Sequence, residues 1–298
     1  MTDTWSDWLL GRRHGNDQAY QHRVQQVVER YRDRVLDGAN LKAGMRLADV
    51  GTGDGLIAFG AIARVGKSLE VILTDISAPL LGHVEERAKK LGVHEQCKFI
   101  QGSADRLEGL DDRSVNVVAT RAVLAYVKDK AKAFREFFRV LKGGGRLSIA
   151  EPIFQDEAFE VCALTKLVES QPNHPEIEFL RLVQRYRAAQ FPSDRLQVME
   201  NPITNYNERD LFGFARDAGF VNIHVELHID LRPALPISWE AYLDVANHPW
   251  SPTLREILSQ RFSRDEAVLF EQTLRPVVEA GQSVQKELTA YLTADSPV

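Results

Sequence analysis

The stretch Asp49-Val-Gly51-Thr-Gly53-Asp-Gly55 decides the fold of this 298-residue chain. It follows residues 46–50, an apolar run suited to a buried strand of a parallel sheet, and helical spacing begins directly after it. Glycines at such a junction let the backbone turn tightly and approach a ligand, which then meets the N–H groups at the start of the helix. The dinucleotide fingerprint GxGxxG would need a third glycine at position 56, where Leu56 stands. The GxGxG spacing therefore predicts a ligand-binding turn without the pyrophosphate signature.

On both sides of this loop, strand and helix patterns alternate. Strands are predicted at 46–50, 70–74, 98–101, 115–120 and 146–150, and helices at 5–40, 56–63, 79–91 and 131–141. The second strand ends at Asp75, and the glycines at 143–145 are expected to close the helix that precedes the fifth strand. This alternation is typical of an α/β fold with a doubly wound, mostly parallel sheet and right-handed crossovers.

The alternation stops after the fifth strand. Helical spacing dominates residues 155–205 and 238–281, and between them a helix at 207–218 is followed by a strand at 221–231. Near the end of the chain, residues 284–294 alternate apolar and other side chains, as in Leu-Thr-Ala-Tyr-Leu-Thr-Ala. That period of two favours a seventh strand, antiparallel and beside the strand at 221–231. A last helix over this segment is the alternative interpretation.

The glycine loop, with Asp75 twenty residues past Gly55, resembles motif I and the ribose-binding acid of class I S-adenosylmethionine-dependent methyltransferases. The resemblance covers most of residues 42–151 and 207–231, including the glycine turn before the fifth strand. It implies a seven-stranded Rossmann-like methyltransferase fold, S-adenosyl-L-methionine as the cofactor, and methyl transfer as the reaction. Within that class, the chain resembles the enzymes that methylate small molecules or tailor peptides.

The resemblance also divides the chain into functional segments. Residues 1–40 are expected to form a helical segment over the cofactor, and 41–154, 206–231 and 284–294 the Rossmann-like core. Two helical insertions remain, at 155–205 and 232–283. Both leave the sheet at its carboxyl edge, where ligands bind in such sheets. We therefore expect them to form a lid over a closed pocket.

Cofactor contacts follow from the resemblance, one residue at a time. Asp75 would bind the ribose hydroxyls, Ile76 would pack against adenine, and Asp49 would orient the glycine loop. The loop residues that would cradle the methionine and ribose through their backbone are Gly51, Thr52, Gly53 and Gly55.

Around adenine the sequence departs from the family pattern, because Ser103 stands where the family often has Asp. We expect the Ser103 hydroxyl and the Ala104 N–H to contact adenine, with Asp105 as the alternative partner.

Two arginines complete the expected site. Arg121 follows the fourth strand and is expected to bind the cofactor or a substrate carboxylate, because a guanidinium matches a carboxylate fork; a salt bridge to Asp49 or another loop acid is the alternative. The segment from Trp5 to Gly15 resembles one that folds over the cofactor, so Arg13 would pair with the cofactor carboxylate. The alternative there is that Trp5 and Trp8 only attach a helix to the core.

Methyl transfer asks little of side chains, because proximity and alignment supply most of the acceleration. A general base is needed only for a weakly acidic acceptor such as an alcohol, whereas a carboxylate or phenolate needs none. The candidate bases or orienting groups are Tyr126, Glu151, His174 and Tyr206.

Composition narrows the partners. A net charge of −5 argues against nucleic acid, which requires concentrated Lys and Arg. The two cysteines, Cys97 and Cys162, lack metal-ligand spacing, so no metal is expected. The N-terminus is polar and no apolar run reaches the length of a membrane span, so we expect neither a signal peptide nor a membrane partner, and a cytoplasmic protein. A monomer or homodimer is expected.

The leading hypothesis is methylation of a small molecule or a peptide terminus in specialised metabolism. Oxygen, as carboxylate or hydroxyl, is the expected acceptor, with methylation of nitrogen or carbon as the alternative. A hypothesis from another class is a non-catalytic module that binds S-adenosylmethionine.

Overall fold

The computed structural model describes residues 2–171, 173 and 176–298. Within them a single seven-stranded sheet has the order β3-β2-β1-β4-β5-β7-β6. The strands are β1 Arg46–Val50, β2 Glu70–Asp75, β3 Cys97–Gln101, β4 Val115–Arg121, β5 Leu141–Pro152, β6 Val221–Pro233 and β7 Val284–Asp295. Strands β1 to β5 pair in parallel, and β7 is antiparallel to both of its neighbours, β5 and β6.

Helices cover both faces of the sheet. They are α1 Thr4–Leu10, α2 Gln18–Ala39, α3 Leu56–Val65, α4 Ala78–Lys90, α5 Lys130–Val140, α6 Gln155–Ser170, α7 Ile177–Ala188, α8 Arg195–Glu200, α9 Glu208–Ala218, α10 Trp239–Leu243, α11 Leu254–Arg261 and α12 Arg264–Glu279. The two largest hydrophobic cores of the described residues flank the sheet: one lies between the sheet and α5 and α9, and the second lies under α2 and α3. Smaller ones lie among the helices of the insertions. The doubly wound architecture predicted from the sequence is thus confirmed. None of the helices in the described residues has the length and apolar character that a membrane crossing needs.

Side-chain caps explain where the core helices begin. Ser77 caps α4 through a bond from the Leu80 N–H, and Asp129 caps α5 in the same way. Asn207 and Asp210 form a capping box at the start of α9. Such side chains satisfy N–H groups that have no partner within the helix.

The last strand forms as predicted, between β5 and β6. Leu288, Ala290, Leu292 and Ala294 alternate inward and are all buried. Small residues at 290 and 294 suit a central strand, because they pack in the core between the sheet and α5 and α9. The period-two pattern, rather than the helical alternative, gave the correct prediction.

The glycines at 143–145 do not close a helix, contrary to expectation. Helix α5 ends at Val140, and β5 begins directly at Leu141. The pairing with β4 jumps from Val115–Leu141 to Val117–Arg146, so the glycines form a bulge within the strand. The bulge meets the end of the chain, where the Gly144 N–H donates to Ser296.

Two other elements differ from the prediction. The helix expected at 5–40 is broken into α1, a short 3-10 turn Arg12–His14, and α2. Gly15 turns the chain at this break with a φ of 57°. A Cβ on Gly15 would clash with the backbone of Ala241, so there is no room for a side chain. The short helix α8 was not predicted.

Candidate active site

A cavity of about 790 Å³ opens at the carboxyl ends of β1, β2 and β4. This size is within the range of small-molecule sites. Its floor is the glycine turn, and its walls come from α1, α2, the segment after β4 and the first residues of β7. The first insertion contributes Glu157 and Phe191 to the lining. The second contributes Leu235 and the segment 245–247. The sheet edge where ligands were expected therefore holds the cavity.

The glycine turn needs its glycines. Gly51, Gly53 and Gly55 have φ values of 68°, 56° and 82°, which favour glycine. A Cβ on Gly51 would lie 2.3 Å from a methyl of Val123. A Cβ on Gly53 would point toward the cavity, with only Leu9 nearby at 3.0 Å. The turn thus presents bare backbone to a ligand, and this cradle fits the predicted cofactor.

Asp49 is buried beneath the turn. Its Oδ2 accepts hydrogen bonds from the Thr52 hydroxyl at 2.7 Å and the Ala58 N–H at 3.0 Å. Burial raises the pKa of this carboxyl to about 7, although both hydrogen bonds lower it. These contacts tie the turn to the first residues of α3.

Asp75 ends β2 and faces the same cavity. Its two carboxylate oxygens accept from the Gly53 N–H and the Ser77 N–H, each at 2.9 Å. Burial raises the pKa of Asp75, and the charge of Asp3 adds to the shift. Ser77, not Asp75, caps the following helix. Because Asp75 lines the cavity, we expect its carboxylate to accept hydroxyl groups of a ligand as well.

Beside Asp75, the segment expected to meet adenine also lines the cavity. The Ser103 hydroxyl donates to Asp105 at 2.6 Å, so these two side chains form one polar group with Ala104 between them. Ile76 is 53% exposed, which leaves its side chain available as an apolar wall.

Arg13 and Arg121 also reach the cavity. The Arg13 guanidinium lies 5.5 Å from the Trp8 ring centre, and that of Arg121 lies 5.0 Å from the Tyr31 ring centre. Burial, and then the charge of Arg121, lower the pKa of Arg13 to about 10. Neither side chain forms an ion pair within the described residues, so the alternative salt bridge from Arg121 to Asp49 is not found.

The N-terminal segment covers the cavity with aromatic side chains. Trp5 packs edge-on against Tyr126 and Trp250, with ring centres 5.3 and 5.4 Å apart. The Trp8 indole N–H donates to the carbonyl of Ala246 at 2.8 Å, and the Ala246 N–H donates to Arg12. Helix α1 and the second insertion are therefore tied together beside the cavity, and we expect them to act as one cover.

Two of the four candidate bases do not face the cavity, which corrects the prediction. Glu151 is fully buried and accepts the N–H groups of Val123, Leu124 and Ala125. It anchors the segment after β4, and burial raises its pKa to about 7. Tyr206 is buried in the core and donates to the Pro152 carbonyl at 2.6 Å.

The other two candidates have different outcomes. Tyr126 lines the cavity, and burial raises the pKa of its hydroxyl well above the ordinary value. Its phenol therefore stays protonated and is a poor base. His174 lies outside the described residues.

Some cavity residues were not predicted from the sequence. Tyr31 of α2 and Arg232 of β6 both donate to the carboxylate of Glu287 on β7, the latter at 2.6 Å. These three are far apart in the chain and carry no local motif. Ala122 has a φ of 55°, an uncommon value for alanine that is typical of functional sites.

Fold, site and family match together define an S-adenosylmethionine-dependent methyltransferase of class I, with a glycine turn at the carboxyl edge and an antiparallel seventh strand. The chain belongs to the family of methyltransferase domains, which its sequence matches over residues 41–197, slightly more than half of its length. The predicted class and cofactor are thereby confirmed.

Relatives agree with this assignment. The ubiquinone/menaquinone biosynthesis C-methyltransferase UbiE of Photorhabdus laumondii is 35% identical over 125 residues, 40% of this chain and 49% of that protein. The chain spans about half the length of the curated relatives it matches.

Solved structures share the fold. The YcgJ protein of Bacillus subtilis has a TM-score of 0.56 at 19% identity, covering 90% of this chain and 99% of that one. Phosphoethanolamine N-methyltransferase 2 of Haemonchus contortus, solved with S-adenosyl-L-methionine, has a TM-score of 0.52 at 18% identity, covering 99% and 56%.

We expect the cover to become less mobile when the cofactor site is filled, because segments that gate a site come from the less stable parts of a fold. Addition of S-adenosylhomocysteine should slow amide hydrogen exchange in α1 and around residues 243–250. Helix α5, which does not reach the cavity, is the internal control. Equal exchange in both states across the cover would contradict the role of these segments as a lid.

Proposed function

We propose that this chain transfers the methyl group of S-adenosylmethionine to an already ionised oxygen of a small molecule or peptide terminus, in the cytoplasm. When bound, the cofactor supplies a methyl group activated by its positive sulfur. The protein then has to bind the cofactor and the acceptor, align them with each other, and exclude water. The cavity supports this proposal because apolar side chains of α2 and of the segment after β5 line it in addition to the glycine turn. We assign the part beside the turn to the cofactor and the part beside these apolar side chains to the acceptor.

In the cofactor half, we assign the roles expected from the sequence. Asp75 accepts the ribose hydroxyls, the backbone at 51–55 holds the methionine and ribose, and Ile76 lies against adenine beside Ser103 and Ala104. Asp49 orients the turn. Arg13, which has no anionic partner in the described residues, pairs with the cofactor carboxylate.

The acceptor half is lined mainly by apolar and aromatic side chains. Its walls are Val24, Val28, Ile153, Phe154 and Phe191. Such a surface favours an acceptor with an apolar body and few polar groups.

The lack of a strong free base in the described part of this cavity supports an ionised acceptor. Burial, and then the charge of Arg13, lower the pKa of His14 to about 4, so its imidazole is a weak base. Burial raises the pKa of Tyr31, and Glu287 already accepts from Tyr31 and Arg232. An alcohol would need its proton removed in the transition state, whereas a carboxylate or phenolate would not.

The second candidate is methylation of carbon. It is favoured by the names of the matched relatives, which are C-methyltransferases of quinone biosynthesis. A phenolate can accept a methyl group on ring carbon as well as on oxygen, so the same cavity suits both. Methylation of nitrogen and a purely cofactor-binding module are further outcomes that the experiment below distinguishes.

Incubation with methyl-labelled S-adenosylmethionine and a panel of carboxylic acids, phenols, quinols and amines tests the proposal. We expect labelled product from acids or phenols: esters release labelled methanol in alkali, whereas aryl ethers and C-methylated rings keep the label. Ethers and C-methylated products are then separated by mass fragmentation. The Asp75→Ala variant is the blank. Label only on carbon or nitrogen would contradict oxygen as the acceptor, and cofactor binding without any transfer would support the binding module.

A further inference from the structure

Two guanidinium groups line one cavity without counter-ions. Among the arginines within residues 2–171, 173 and 176–298, Arg13 and Arg121 alone are not exposed and yet form neither a hydrogen bond nor an ion pair. Their two positive charges repel each other. An unpaired, partly buried charge is costly, so such groups are normally paired. The cavity is therefore prepared for more than one anionic group.

The two arginines face different parts of the cavity. Arg13 follows α1 and feels the charge of Asp54 in the glycine turn. Arg121 lies over the ring of Tyr31 on α2, and its charge also reaches Tyr291 on β7. The charge of Arg13 also reaches Tyr20 on α2 and Glu287 on β7. Arg13 nevertheless packs on Trp8 of α1, whereas Arg121 packs directly on the α2 wall.

The other cations on the cavity wall are paired or exposed. Arg232 is paired with Glu287 at 2.6 Å, and Lys286 with Glu160 at 2.6 Å. Arg30 and Lys128 are exposed. S-adenosylmethionine has a single carboxylate, which satisfies one guanidinium. A second anion must then come from the acceptor.

We infer that Arg121 binds an ionised carboxylate of the acceptor, while Arg13 binds the carboxylate of the cofactor. This inference rests on the proposed function and names its acceptor class: a carboxylic acid whose apolar body lies along α2 and Phe154. The planar guanidinium can bind both carboxylate oxygens at once. Tyr31 holds it from behind, so Arg121 is the residue that selects acids over their neutral analogues.

Calorimetry on the protein saturated with S-adenosylhomocysteine tests this inference. The probes are benzoate, 4-phenylbutyrate and decanoate, each compared with its own primary amide. We expect at least one acid to bind about tenfold more tightly than its amide. Arg121→Met should remove that preference and leave the affinity for S-adenosylhomocysteine unchanged. Arg13→Met should instead weaken S-adenosylhomocysteine by about tenfold or more.

Two further variants serve as controls. Arg30→Met removes an exposed charge from the rim of the same cavity and should change neither affinity. Arg121→Lys keeps the charge but loses the bidentate geometry, so acid binding should fall between that of the native protein and Arg121→Met.

The possible outcomes separate this inference from the proposed function. If no acid binds more tightly than its amide, or if Arg121→Met weakens S-adenosylhomocysteine and spares the acids, the inference is overturned. If the native protein does not bind S-adenosylhomocysteine, the proposed function fails. Binding of S-adenosylhomocysteine together with transfer to phenols or quinols that carry no carboxylate, and to no carboxylic acid, would overturn the inference alone.

Discussion

Deletion of residues 284–298 is expected to give a protein that does not fold. Strand β7 lies between β5 and β6; it pairs with β6 along nearly its whole length and with β5 from Thr289 to Asp295. Without it, two strands lose their hydrogen-bond partners and a central part of the core is opened, which exposes edges that aggregate. We expect insoluble protein, or soluble protein without cooperative unfolding by circular dichroism.

A pair of substitutions on the same strand gives a graded test. Leu292 is fully buried, and its replacement by alanine should lower the free energy of unfolding by about 2–5 kcal/mol. Val284 is 66% exposed, so Val284→Ala should change it by less than about 0.5 kcal/mol. Denaturant titration measures both. A soluble truncated chain with a sharp unfolding transition, or equal effects of the two substitutions, would contradict a structural role for β7.

Asp75→Ala is expected to abolish measurable binding of S-adenosylhomocysteine at micromolar protein. The carboxylate accepts the Gly53 and Ser77 N–H groups, and Asp75 lines the cavity. Loss of each charged hydrogen bond to the ribose costs about 1–3 kcal/mol, and the loss of the Gly53 bond also loosens the turn. Calorimetry measures the affinity, and a thermal melt checks that the variant is folded. Unchanged affinity would refute the ribose assignment. The affinity of Asp75→Asn should lie between those of the native protein and Asp75→Ala.

Gly51→Ala should have a comparable effect through shape alone. The new Cβ would lie 2.3 Å from Val123, and the alanine would have to adopt a φ of 68°. Gly92→Ala is the matched control, because Gly92 has the same φ of 68° with open space around the new Cβ. Both share backbone strain of about 1–2 kcal/mol, so any loss of S-adenosylhomocysteine affinity confined to Gly51→Ala comes from closing the turn.

Local patterns were sufficient for most of the fold. The GxGxG turn, the apolar runs and the period of two at the end of the chain predicted all seven strands, because burial on a sheet imposes a spacing on the residues that face the core. Strand and helix ends were less well determined. The glycines at 143–145 have the composition of a helix stop, but pairing with β4 and the chain end makes them a bulge in β5.

What the sequence by itself determined is the class of the protein and the strand ends that line its cavity. The contacts there come from the ends of successive strands, and the parallel sheet brings these ends to one edge, so their positions follow from the strand pattern. Only the tertiary structure decided the acceptor half. Tyr31, Arg232 and Glu287 meet across more than 200 residues of chain, and Glu151 turns out to anchor backbone rather than face the cavity. Contacts between distant segments depend on how helices and the last two strands pack together, and a local pattern does not encode that packing.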